Sequence, residues 1–310
     1  MTETAPFLHH PVLAGAVRDW AAGAARAVDA TAGGGGHAAL LRAAGAELLA
    51  IDRDPAALAA ARARLGDDGI TYLLASFGSP ETAAAVAAFR PERILLDLGV
   101  SSPQLDDAAR GFTFRPGAPL DMRMTPGQGA SAADVLNSAS PDRLAAAFAD
   151  GADEPRARAL ARAIVRRRLR APFRTSDDLV NAIREVLGPR AGPPDFARLF
   201  QAVRIAVNDE RGELERALPL FRDALIPGGR LGVITYHSGE DRIVKQAFRD
   251  WARDCICPPR QPVCTCRGRS LGVVHTKKPL TAGPDEVAEN PRARSAHFRV
   301  FQTAEASREA

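Results

Sequence analysis

Along the first hundred residues, strand-length apolar runs alternate with stretches in which apolar residues recur every three or four positions. The short runs are Ala27 and Val28, Glu47 to Ile51, Ile70 to Leu74 and Arg93 to Val100; the intervening stretches 38–44, 56–65 and 80–89 carry helical spacing. Asp54 followed by Pro55 predicts an N-cap with proline at the first helical position, ahead of Leu58, Ala61 and Leu65. The fourth run, RILLDLGV, has the continuous apolar character of a strand buried on both faces. The order strand, helix, strand, helix, strand, helix, strand predicts an α/β protein, the first half of a doubly wound parallel sheet.

The next strong strand is Arg230 to Thr235, announced by Pro227-Gly228-Gly229. Between Asp97 and Gly229 lie 229 − 97 = 132 positions, far more than the roughly 30 residues of one crossover unit. Something is inserted, and its pattern is helical over 130–136, 141–149, 154–169, 175–187 and 196–207, with a Pro/Gly break at 188–194. Either the insertion stiffens the scaffold or it caps a cofactor site and binds substrate. After the fifth strand, a helix through Arg253, a weak strand from Val273 to Leu280 and a stronger one from His297 to Phe301 complete the pattern, and the last is expected to close the sheet.

The chemistry concentrates at the first turn. Four successive glycines, Gly33 to Gly36, follow the first strand and precede His37; such a run costs too much backbone entropy for a strand or a helix interior. It marks a turn with positive φ, or a place where a ligand approaches the main chain. Asp52 ends the second strand 52 − 33 = 19 positions later, where a carboxylate accepts from both hydroxyls of an adenosine ribose. The compact GGGGH, led by Asp29, is not the spaced G-x-G-x-x-G of dinucleotide enzymes, so a ligand without a pyrophosphate, S-adenosylmethionine, fits better than NADH. A flexible glycine linker is the rival reading, opposed by the strand-like runs on either side.

Composition narrows this only locally. With 46% hydrophobic and 25% charged residues and a formal charge of +4, the chain reads as an ordinary globular protein. Eight arginines between Arg156 and Arg174 (156, 158, 162, 166, 167, 168, 170 and 174) make the positive charge local, as a nucleic-acid phosphate backbone would require; a solvated helix face is the rival reading. No apolar run reaches the ~20 residues that span a bilayer. His9, His10 and Pro11 stand where a signal peptide needs an apolar core, which predicts an unprocessed cytoplasmic protein. Cys255, Cys257, Cys264 and Cys266 form C-x-C, six residues, C-x-C. In a reducing compartment that cluster suits a metal or free thiols. Because structural zinc more often uses C-x2-C knuckles, a proline-rich loop is the competing reading and no metal is assigned.

Asp97, His237 and Asp241 fall at the carboxyl ends of strands four and five, and Ser101, Ser102 and Gln104 in the loop after strand four, all on the rim where such sheets bind ligands. Ser-His-Asp hydrolysis is disfavoured because no serine sits on a G-x-S-x-G elbow.

The segments DATAGGGGH, AIDRDP, LLDLGVSSPQLDDAARGFTF, PLDMRM, FQAVRIAVNDE, PGGRLGVITYHSGEDRIVK and NPRARSAHFRV, with HHPVL near the start, together resemble the bacterial small-subunit ribosomal RNA methyltransferase H family. The resemblance runs from about His9 to Val300. It implies a class I (Rossmann-like) S-adenosylmethionine-dependent sheet with an inserted helical domain: 1–108 the first half, 109–211 the substrate-recognition insertion, 212–310 the second half. It implies N4-methylation of a cytosine in the decoding centre of 16S ribosomal RNA, with that RNA or the small subunit as partner. It further implies that Gly35, Gly36, His37, Asp52, Phe77, Asp97 and Gln104 contact the cofactor. Three places depart from the family's usual pattern: Asp195-Phe196-Ala197-Arg198 for P-A-T-R, Tyr236-His237-Ser238-Gly239-Glu240-Asp241 for F-H-S-L-E-D, and Ser76 before Phe77. No catalytic residue is assigned; the candidates are Asp97, Ser102 and His237. A small-molecule methyltransferase and a non-catalytic RNA-binding protein remain as alternatives.

Overall fold

The computed structural model describes residues 11–258 and 260–305, so His9 and His10 lie outside the described residues. The chain divides into two compact units: Val100–Gly212, and the chain up to Gly99 joined with the chain from Glu213 onward.

In chain order, the first part of the sheet unit comprises α1 (Ala14–Ala21), β1 (Arg26–Asp29), α2 (Gly36–Ala43), β2 (Glu47–Asp52), α3 (Pro55–Leu65), β3 (Ile70–Leu74), α4 (Pro80–Phe89) and β4 (Arg93–Asp97). Asp54 caps α3 by accepting from the Ala56 N–H at 3.0 Å, with Pro55 in the first turn. Ser79 caps α4 through Thr82 N–H at 3.1 Å. β4 stops three residues short of the expected Val100, because the chain turns out of the sheet at Gly99, whose φ is 103°.

The helical unit holds α5 (Ser102–Asp106), α6 (Ala132–Ser138), α7 (Pro141–Ala152), α8 (Ala157–Arg168), α9 (Ser176–Leu187) and α10 (Pro193–Asn208). Its own core gathers Leu136, Phe148, Leu160, Phe173, Leu179, Ile183 and Leu199. On α8 the buried Ala157, Leu160, Ala161 and Ile164 follow helical spacing, so the arginine-rich helix presents one apolar stripe inward. Gly151 lets α7 close on α10, since a Cβ there would stand 2.9 Å from Ala202 Cα.

α11 (Glu210–Ala224) carries the division between the units in its first turn, and the sequence pattern does not predict it; Pro219 inside it breaks the apparent spacing by removing a backbone donor. Then follow β5 (Arg230–Thr235), α12 (Ser238–Trp251), β6 (Gly272–Val274), α13 (Pro284–Glu289) and β7 (His297–Thr303). The sheet order is β3-β2-β1-β4-β5-β7-β6; β1 to β5 pair in parallel, and β7 runs antiparallel to both β5 and β6. The last strand therefore inserts beside β5 rather than closing the sheet, and β6 forms the edge. The expected strand over Val273 to Leu280 shortens to Gly272–Val274, because His275 and Thr276 N–H both turn to the one carbonyl of Val300, at 2.9 and 3.4 Å, and the ladder loses its register; Leu280 rejoins, exchanging hydrogen bonds of 2.9 and 2.8 Å with Phe298. One sheet face packs Val17, Trp20, Leu41, Leu48 and Phe298; the other packs Val28, Ile94, Leu218, Val233 and Phe248.

Candidate active site

The turn after β1 is built as its glycines require. Gly33 and Gly35 have φ of 49° and 79°, and a Cβ on Gly35 would approach Ala61 Cα to 3.2 Å, so α3 closes directly over the loop. A Cβ on Gly34 would meet nothing within 4 Å, so this part of the turn faces open space. Asp52 fixes the loop from the next strand: its Oδ2 accepts from Gly33 N–H at 2.8 Å and its Oδ1 from Asp54 N–H at 2.8 Å. Each oxygen keeps a second acceptor position. Burial pushes the Asp52 pKa up against the pull of those two N–H groups.

Asp29, His37, Asp97 and Tyr236 form a second cluster across the ends of β1, β4 and β5. His37, in the first turn of α2, donates from Nε2 to Val12 O at 2.8 Å and places Nδ1 3.3 Å from Asp97 Oδ2. Burial works against its charge, yet Asp97 beside it outweighs that and raises its pKa to about 9, so it is an imidazolium at neutral pH. Asp97 also accepts from the Tyr236 hydroxyl at 2.8 Å, and its backbone N–H donates to Thr31 Oγ1 at 2.7 Å. Burial, then the Asp97 charge, drives the Tyr236 pKa far upward and keeps the phenol a donor. Asp29 is fully buried; its Oδ1 accepts from Thr31 N–H, while Oδ2 has no hydrogen-bond partner among the described residues. Burial raises the Asp29 pKa to about 6 despite the nearby His37, with Asp97 and Asp52 adding repulsion.

Other expected residues are placed differently. Phe77, in the turn after β3, packs against the core face shared by Val86 and Leu214. That turn lies on α11: a Cβ at Gly78 would be 3.0 Å from Glu213 Cα, and Glu213 pairs with Arg53 beside Asp52 at 3.3 Å. His237 is the N-cap of α12; its Nδ1 accepts from Glu240 N–H at 3.4 Å and its Nε2 lies 3.1 Å from Glu240 Oε1. Asp241 does not open on the rim. It is gripped by Arg299 of β7 at 2.7 and 2.9 Å, with His297 Nδ1 at 3.5 Å. Burial pushes the Asp241 pKa up, but the Arg299 guanidinium more than offsets this and holds it low. Ser101 and Gln104 belong to the helical unit, as does Ser102; Gln104 Oε1 accepts from Ser101 N–H at 3.0 Å, and the expected loop there includes the short helix α5. Tyr236, which hydrogen-bonds Asp97, joins this candidate site without being singled out by the sequence pattern; the signal in the sequence is its departure from the family's phenylalanine.

Several other resembling motifs are clamps. Asn208 at the end of α10 accepts from Met124 N–H and donates to Met122 O, both at 2.8 Å, locking the PLDMRM segment inside the helical unit. Arg204 meets Glu210 at 2.8 and 2.9 Å. The departures at Asp195 to Arg198 are absorbed in the same unit: Asp195 accepts from Gly192 N–H at 3.1 Å, Phe196 is buried, and Arg198 reaches the buried Glu154 at 2.6 Å.

A sheet of order 3-2-1-4-5-7-6 in which only β7 is antiparallel, a glycine loop after β1 and an acid at the end of β2 define a class I, S-adenosylmethionine-dependent methyltransferase fold. Within that class the profile of the MraW methylase family matches residues 6–304, and the chain belongs to this family. It is 56% identical to the ribosomal RNA small subunit methyltransferase H of Gemmatimonas aurantiaca, over 96% of this chain and 95% of that one. Similar proteins of the same name occur in Heliobacterium modesticaldum (45% identity, 89% and 91% covered) and Rubrobacter xylanophilus (46%, 97% and 98%).

Proposed function

We propose that this chain transfers a methyl group from S-adenosylmethionine to N4 of a cytosine in the decoding centre of 16S ribosomal RNA, in the cytoplasm. The names of its relatives support an RNA of the small ribosomal subunit; the resemblance of its motifs supports the cytosine and its amine. The observation that carries the cofactor assignment is the charge of the cluster. Three carboxyl groups, on Asp29, Asp52 and Asp97, gather at these strand ends with one imidazolium, His37, beside Asp97 and Asp29, and Asp29 keeps a buried oxygen with no hydrogen-bond partner among the described residues. That balance suits a ligand bearing a sulfonium and an ammonium, and repels the pyrophosphate of a nicotinamide dinucleotide.

When bound, S-adenosylmethionine supplies an electrophilic methyl group on sulfur. Asp52 offers its two open acceptor positions to the ribose hydroxyls, with the backbone of Gly35 and Gly36 alongside. His37 and Tyr236 fix the Asp97 carboxylate from two sides, so Asp97 serves as an oriented carboxylate beside the cofactor. Phe77 and Gln104 stay assigned to the cofactor through the resemblance. The cytosine amine is a poor nucleophile, its lone pair delocalised into the ring, so transfer depends on positioning and on an acceptor for its proton. The catalytic candidates stay Asp97, Ser102 and His237: Asp97 is held by His37 and Tyr236, and His237 caps α12 through Nδ1 while its buried Nε2 makes no hydrogen bond among the described residues.

The test is incubation of small subunits lacking the modification with protein and cofactor, followed by nucleoside mass spectrometry that separates N4-methylcytidine from its C5, N3 and ribose isomers. N4-methylcytidine is expected; a methyl at any other position overturns the target assignment. Methylation only of small molecules, or RNA binding without transfer, would favour the alternative readings.

A further inference from the structure

The cysteine cluster stands in the sheet unit between α12 and β6, apart from the glycine loop and its carboxylates. Leu271 N–H donates to Trp251 O at 2.8 Å, so the segment 252–270 leaves and returns at one point. Arg267 ties its base by donating to the carbonyls of Asp250, Trp251 and Arg253, and Ser270 N–H donates to Asp254 Oδ1 at 3.0 Å. No helix or strand organises its described residues, and loops of this length without structure of their own are uncommon in compact domains. Nor does an apolar core: Ile256 is 45% and Val263 71% exposed.

What converges inside this loop is sulfur. The Sγ atoms of Cys255, Cys257, Cys264 and Cys266 all lie within 4.8 Å of one another, as free cysteines. Cys264 stands 3.8 Å from Cys255, 3.9 Å from Cys257 and 3.4 Å from Cys266, and Cys266 stands 3.8 Å from Cys255. A tetrahedral ion with four metal–sulfur bonds of about 2.3 Å has sulfur–sulfur edges of about 3.8 Å. A disulfide would need about 2.05 Å. The backbone N–H of Ile256 donates to Cys266 Sγ at 3.4 Å, an arrangement that stabilises a thiolate. Exposed thiols gain little by meeting one another, whereas four thiolates around one cation replace the missing core.

We propose that Cys255, Cys257, Cys264 and Cys266 bind one structural zinc ion, which folds the 252–270 loop. The four thiols release their protons to solvent as the ion binds. The resulting site carries two net negative charges, in a segment that also contains Arg253, Arg260, Arg267 and Arg269. Sulfur-only tetrahedral coordination selects a soft or borderline metal over magnesium or calcium. Paired C-x-C is not the commoner zinc knuckle, yet here the two pairs bring all four sulfurs to tetrahedral distances.

The full chain, purified under reducing conditions without chelator from zinc-supplied cells, should contain one zinc per chain by elemental mass spectrometry. Its four thiols should be unreactive to a thiol reagent until a chelator is added. Cobalt exchanged into the site should give sulfur-to-metal charge-transfer bands and the intense visible bands of a tetrahedral ion. Cys257→Ser combined with Cys264→Ser should reduce bound zinc to background while S-adenosylhomocysteine still binds, as measured by calorimetry. Should that variant fail to fold, the metal content, thiol protection and cobalt spectrum of the parent protein still decide. Four freely reactive thiols, a mass showing two disulfides, or stoichiometric iron in place of zinc would each overturn the proposal.

Discussion

His37 shows what a single residue adds to the glycine loop. Burial opposes its charge, yet the neighbouring Asp97 prevails and raises its pKa from the ordinary 6.5 to about 9. A group protonated more readily when folded stabilises the protein fully below its unfolded pKa and loses that contribution as pH rises through the folded one. Melting temperature should therefore fall between about pH 6.5 and pH 9, with a contribution on the order of 3 kcal/mol at stake. His37→Gln should remove the fall within that window, and an equally steep fall in the variant would sink this role. Asp52→Ala should weaken cofactor binding by about 1.5–3 kcal/mol for each charged hydrogen bond removed, read by calorimetry; unchanged affinity would remove Asp52 from the ribose site. The glycine loop and the carboxylates were legible because their types and spacing are local. The His37–Asp97–Tyr236 contact was not, because it joins positions far apart in sequence, and a hydroxyl on residue 236 means nothing until β4 and β5 are seen paired.

At the scale of elements, the arginine-rich helix changes character once its partners are visible. Arg166 and Arg167 share Glu185 at 2.8 and 3.0 Å, and the two guanidinium groups hold the Glu185 pKa below its ordinary value. Arg168 donates to Leu136 O and Ala139 O at 3.1 and 2.8 Å, and Arg156 to Val186 O at 3.1 Å. Arg158, Arg162, Arg170 and Arg174 are exposed and make no ion pair among the described residues. If this helix meets RNA phosphates, these four are better placed to do so than Arg166, Arg167 and Arg168, which already have protein partners. Arg158→Gln with Arg162→Gln should flatten the salt dependence of RNA binding by about 0.7 for each phosphate no longer neutralised, leaving cofactor affinity unchanged; a parental slope would make α8 a solvated face. Arg168→Gln should instead destabilise the fold by about 1.5–3 kcal/mol, read as a lower melting temperature. Helices with clean spacing and caps, such as α3 and α4, were legible to the residue. The short alanine-rich α1 and the proline-containing α11 were not, because each owes its helical state to tertiary packing: Val17, Trp20 and Ala21 of α1, and Leu214, Ala217, Leu218 and Phe221 of α11, are buried.

For the molecule as a whole, the 132-position gap was the one long-range feature legible in the sequence, since no ordinary crossover occupies such a length. The placement of β7 was not, because an apolar strand carries no mark of its neighbour or direction; the pairing of Val233 with Arg299 and of Ile234 with Phe298 settles both. The two units also hold separate cores, one around Phe148, Leu160 and Leu199, the other on the two faces of the sheet. If the cofactor is held by the glycine loop, Asp52 and Asp97, its binding energy acts on the sheet unit. At about 100 times its Kd a ligand stabilises the state it binds by about 2.7 kcal/mol, enough to slow exchange of amides that open only with that state about a hundredfold. With S-adenosylhomocysteine added, hydrogen exchange should slow in peptides covering 26–54 and 93–99 and stay at the free-protein rate in peptides covering 141–168. Equal protection of α7 and α8 would show the ligand stabilising both units, and protection confined to those helices would move the cofactor site away from the sheet.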